Sequence, residues 1–215
     1  MQTDRIKIED FDRGVEAALQ EVDKFSQYMA YDRKSVLRVK LLVEETFGMT
    51  NAITEKFRAE FWLEGEKDGT CLIHLMLHTN MDIMKKRELI DASKNKKNAA
   101  YPGLAGRIRE LIEDSIYLKE HPEQQEQIAG NAKQYAWIGM ADPSMAPGAP
   151  MPMGQYIWSL EDYRQSVEEA MESEENPEAE SAWDELEKSV LTHLADDIRV
   201  AVKGNDAEIV VEKKF

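Results

Sequence analysis

The longest hydrophobic pattern in the chain runs from Val36 to Ile53, VLRVKLLVEETFGMTNAI. Val36, Val39, Leu42, Val43, Thr46, Met49, Thr50 and Ile53 recur at steps of three and four. That spacing is one face of an α-helix. Asp32 is placed to cap its start. An earlier helix is marked by Phe11, Val15, Ala18, Leu19, Val22, Phe25 and Met29, with Asp10 or Asp12 as its cap. Arg5 to Glu9 alternates as a short first strand. Ala59 to Gly65 and Cys71 to Thr79 read as two antiparallel strands joined by Glu66-Lys67-Asp68-Gly69. In the second of these, Cys71, Ile73, Leu75 and Leu77 share one face, and Leu72, His74, Met76 and His78 share the other.

Farther along, Asp82 caps a short helix running to about Ala92. Ser93 to Asn98 is a basic polar loop, and Tyr101-Pro102-Gly103 is a turn. Leu104, Ile108, Leu111, Ile112 and Ile116 give another helix. From Glu120 to Gln155 the pattern dissolves, and MADPSMAPGAPMPMG is too rich in Met, Pro and Gly for a regular element. Ser159 and Asp162 form a capping box ahead of Leu160, Tyr163, Val167, Ala170 and Met171. The acidic run Glu172 to Glu180 reads as a solvated connection. Trp183, Leu186, Val190 and Leu194 mark a last helix. Ile198 to Lys203, the turn Gly204-Asn205-Asp206 and Ala207 to Phe215 form a closing hairpin. This order predicts an α+β fold: a two-layer sandwich with helices on one face of a mostly antiparallel mixed sheet. It is expected to be one domain over residues 1–215, with a variable insertion at about 117–180.

Composition narrows the partners. The chain is 42% hydrophobic and 32% charged, so it can bury a core. Its net charge of -15 disfavours nucleic acid and an anionic membrane surface, which both select cations. The single cysteine, Cys71, allows no disulfide within the chain and no thiolate metal cage. The first residues, MQTDRIKIED, hold no apolar signal core, and no run has the length of a membrane span. A soluble cytoplasmic protein is expected.

Candidate chemistry centres on the long helix. Glu44 and Glu45 sit near its middle and Asn51 follows. A carboxylate and an amide on one side of a helix can orient a water and hold magnesium. The plainer reading is a core helix with a polar flank. His74 and His78 lie about 13 Å apart along a strand, too far to share a metal. Cys71 reads as a packed thiol. No nucleophile elbow, Walker loop or dinucleotide fingerprint is present.

The layout resembles the GHKL ATPase superfamily, in the small form seen in bacterial anti-sigma factor kinases and the ATP-binding domain of sensor histidine kinases. RVKLLVEETFGMTNAI is similar to that family's N-box helix. The stretch from CLIHLMLHTNMD to YPGLAGRIRELI takes the place of its first glycine box, its ATP lid and its second glycine box. LADDIRVAVKGNDAEIVVEKKF is similar to its closing hairpin. The resemblance implies an ATP site with magnesium. Glu44 or Glu45 would be the catalytic base and Asn51 the metal ligand. Asp82 would meet adenine, Lys97 would supply lid charge, and Gly103 and Gly106 would approach phosphate.

The motifs depart from the family pattern. The family's glutamate stands one helical turn before its asparagine, so both side chains meet one site. Here one turn beyond Glu45 is Met49, and one turn beyond Glu44 is Gly48. Glu44 and Asn51 are seven apart, about 10 Å along the axis. The first glycine box, Thr79-Asn80-Met81-Asp82-Ile83, has its aspartate and no glycine. The leading expectation is therefore a regulatory protein with a degenerate nucleotide site that works by binding a protein partner, with a homodimer as one form of it. The second is an active anti-sigma-type serine kinase or ATPase. The third is a ligand-free scaffold whose interaction surface is the insertion with Trp137, Met140, Met145, Met151, Met153 and Trp158.

Overall fold

A computed structural model describes residues 1–53, 58–78, 104–120, 155–173, 177–203 and 205–215. The strands are β1 (Ile6–Ile8), β2 (Ala59–Gly65), β3 (Thr70–His78), β4 (Gln155–Ser159), β5 (Asp197–Lys203) and β6 (Asp206–Lys214). The helices are α1 (Phe11–Tyr28), α2 (Arg33–Ile53), α3 (Leu104–Glu120), α4 (Leu160–Ser173), α5 (Pro177–Lys188) and α6 (Val190–Leu194).

Alternation along the strands builds the sheet. Its order is β1-β2-β3-β6-β5-β4. Every pairing among the described residues is antiparallel, so no parallel pair makes the sheet mixed there. The edge strands decide this: β1 runs against β2, and β4 runs against β5. One cross-strand row spans all six strands, through Ile6, Phe61, Leu75, Ile209, Val200 and Trp158. The five residues from Phe61 to Trp158 in it are fully buried and belong to a single core cluster with Val22, Leu42, Phe47, Ile108 and Tyr163 of the helices. The result is a two-layer α+β sandwich.

Local chemistry sets the helix ends. The Asp10 carboxylate accepts the Arg13 N–H at 3.0 Å and starts α1. At its far end Ala30 stands at φ 54°, in the left-handed region. There the N–H of Tyr31 donates to the Ser26 carbonyl, and that of Ala30 to the Gln27 carbonyl, closing the helix. Asp32 accepts the Ser35 N–H at 2.7 Å and starts α2. That hydrogen bond holds the Asp32 carboxyl below its ordinary pKa.

Three expectations change. Gln155 to Ser159, which follow the Met/Pro/Gly run, form β4 and complete the sheet beside β5. The acidic run 172–180 is helical at both ends, in α4 and in α5. The last helix is two helices, because the Ser189 hydroxyl accepts the Thr192 N–H and starts α6 anew. The expected helix from Asp82 and the basic loop at Ser93 to Asn98 lie outside the described residues.

Candidate functional site

Helix α2 crosses the sheet with Val39, Leu42, Val43, Thr46, Phe47, Thr50 and Ile53 buried. Phe47 was missing from the expected stripe. It packs between the Phe11 ring at 6.4 Å and the Phe61 ring at 5.8 Å. The two buried threonines satisfy their hydroxyls inside the helix: Thr46 donates to the Leu42 carbonyl and Thr50 to the Thr46 carbonyl.

The candidate residues of α2 part company around the helix. Glu44 and Asn51 share its solvent-facing stripe and are exposed. Glu45 is half-buried, about 100° around the helix from Glu44. There it lines a groove of about 580 Å³ together with Met49, Leu104 and Ala105. The far wall belongs to α5 and the start of α6, with Asp184, Glu185, Lys188 and Leu191. Gly106, in the first turn of α3, stands beside this groove and is half-buried. The groove thus lies between α2 and the start of α3, and Asn51 is not part of its lining. Asp82, Lys97 and Gly103 lie outside the described residues.

The groove suits a polyphosphate poorly. Its walls carry three carboxylates, Glu45, Asp184 and Glu185, against one ammonium, Lys188. That excess has the same sign as a nucleotide's phosphates. Lys188 is itself turned to Asp184 at 3.5 Å. Among the described residues no group of three or more His, Cys, Asp or Glu is arranged to hold a metal ion. The acids of α5 carry no sequence signal that assigns them here, since only the tertiary fold brings them to α2.

No protein-family model, no characterised protein and no solved structure matches this chain. The geometry of the chain itself therefore carries the functional argument. Among the described residues no helix is long and apolar enough to cross a membrane.

The opposite face of the sheet holds a second group. The His74 ring stacks on the Trp62 ring at 4.6 Å and 11°. The Arg5 guanidinium sits over the same indole at 4.0 Å. His74 Nδ1 is 3.1 Å from Glu208 and Nε2 is 3.7 Å from Glu64. His78 pairs separately with Asp206 at 2.9 Å. Each histidine thus has its own carboxylate, as their separation along β3 requires.

Cys71 and Trp158 are both core residues. Burial pushes the Cys71 thiol up to about 12 and raises the neighbouring Tyr31 phenol as well. A thiol held protonated this way is packing, not a nucleophile. Trp158 is fully buried on the core face against Tyr163, with ring centroids 5.7 Å apart. It is therefore removed from the surface that the scaffold reading gave it. β4 pairing turns this side chain inward.

Proposed function

We propose that this chain is a cytoplasmic regulatory protein on a GHKL-like scaffold, with a degenerate nucleotide site, and that it acts by binding a protein partner. One observation carries the reading. Glu45 lines the groove beside the start of α3, whereas Asn51 stands on the exposed stripe of the same helix. A base and a metal ligand on different flanks of one helix do not meet at one phosphate. The carboxylates of α5 support the reading further, because they set a negative wall where a triphosphate would lie.

Titration calorimetry with Mg-ATP and with ADP tests the nucleotide half. No binding at millimolar nucleotide is the expected result. Tight, magnesium-dependent binding overturns it and restores the kinase or ATPase reading, with Glu44 or Glu45 as base. Deletion of residues 139–154 tests the partner half. Association that is unchanged by the deletion places the interface outside residues 139–154.

A further inference from the structure

The solvent-facing stripe of α2 is unlike the rest of this acidic chain. Leu37 and Leu41 are exposed there, at 59% and 38%. Arg33, Lys34 and Arg38 stand around them, the first two exposed. Among the described residues no ion pair holds Arg33 or Arg38. Two leucines framed by three cations form a surface that an acidic, partly apolar helix would fit.

Such a helix exists in the same chain. The exposed stripe of α4 carries Glu161, Glu168 and Glu172, with Glu169 to one side and Met171, 40% exposed, to the other. Arg164 lies between Glu168 and Met171, but it is half-buried and its guanidinium donates to the Thr192 carbonyl, so the exposed side chains of the stripe carry no cation. The basic and apolar part of the α2 stripe, Arg33 to Leu41, spans about 12 Å of helix axis before the stripe reaches Glu44, and Glu161 to Glu172 spans about 16 Å, long enough to cover it. Both helices belong to the layer that covers the core face of the sheet, so both stripes look away from it.

We infer that the protein forms a two-fold dimer in which the basic stripe of α2 on one copy lies on the acidic stripe of α4 on the other. The two-fold axis repeats the contact, so each copy gives one basic and one acidic stripe. Like stripes do not meet, which rejects α2 on α2 and α4 on α4. The pairing stands whether or not the groove takes a nucleotide.

Charge reversal with complementation tests it. Two variants are made, R33E with R38E and, separately, E168K with E172K. Arg33, Glu168 and Glu172 are exposed and Arg38 is half-buried, and circular dichroism with thermal melting confirms that each variant is folded. Sedimentation velocity at micromolar concentration should show a dimer for the unaltered chain. Each variant alone should dissociate, with Kd raised about tenfold or more. Mixing the two variants should restore a dimer, because both contacts then join opposite charges. An unaltered chain that stays monomeric overturns the proposal. So does dimerisation that neither variant weakens, or two monomeric variants that do not combine. A monomer retained on anionic lipid vesicles would instead make the α2 stripe a membrane contact and overturn the pairing.

Discussion

Trp62 and His74 face each other ring on ring across β2 and β3, on the side of the sheet away from the core cluster. Trp62 is only 2% exposed there. The stack adds a side-chain contact to the backbone pairing of β2 with β3. A double-mutant cycle of Trp62→Ala and His74→Ala should return a coupling of about 1 kcal/mol. Trp62→Ala alone should cost about 3 kcal/mol in urea unfolding. Additive single effects would show that the stack contributes nothing beyond each residue's own burial.

The two sides of α2 should respond very differently. Phe47 is fully buried between Phe11 and Phe61. Phe47→Ala should lower stability by about 3 to 5 kcal/mol. Glu44→Ala and Asn51→Ala, on the exposed stripe, should each change it by about 0.5 kcal/mol or less. Chemical denaturation of the three variants checks this. A large loss at Asn51 would mean that its amide holds something the helix needs.

Two backbone positions invert the usual helix rule. Gly14 is in α1, where alanine normally gains about 1 kcal/mol. Yet a Cβ there would stand 2.3 Å from Ile8 Cγ2, and Ile8 is buried. Gly14→Ala should therefore destabilise, by about 1 to 3 kcal/mol, and adding Ile8→Ala should relieve the clash. Ala30 is the opposite case, a residue with a Cβ at φ 54°. Ala30→Gly should stabilise by about 0.5 to 1 kcal/mol, because glycine occupies that region without strain. Thermal melts of both variants read the signs directly.

Cys71 should resist thiol reagents in the folded protein. Its pKa is raised from 9.0 to about 12 by burial. Alkylation at pH 8 should be slow and should speed up only as denaturant unfolds the chain. The linkage has a definite sign. The unfolded chain releases this proton near its ordinary value and the folded chain holds it longer, so the fold binds more protons above pH 9. Its contribution is complete below pH 9 and is lost as pH rises toward 12. Cys71→Ala should flatten that alkaline fall in stability, as measured by urea titration across the range.

Much of the architecture follows from local rules that the sequence carries by itself. The three-and-four spacing of α1 and α2, the caps at Asp10 and Asp32, and the alternation of β2, β3, β5 and β6 all describe neighbours in the chain. Physics at that range needs no knowledge of the fold. β4 was hidden because a five-residue strand after a Met/Pro/Gly run has too few positions to show a period, and only pairing with β5 defines it. The break at Ser189 was hidden because apolar residues continue across it in helical spacing. The candidate site was legible only in its residue types. Sequence placed Glu44, Glu45 and Asn51 on one helix, but α1 on one flank and α3 and α5 on the other decide which of them faces a groove. Asp184 and Glu185 line one groove with Glu45 although more than half the chain separates them, and no local pattern encodes a juxtaposition of that span. Sequence set the elements and their apolar faces, because those depend on near neighbours. Tertiary packing alone set which polar residues meet, because that depends on how the faces close over one another.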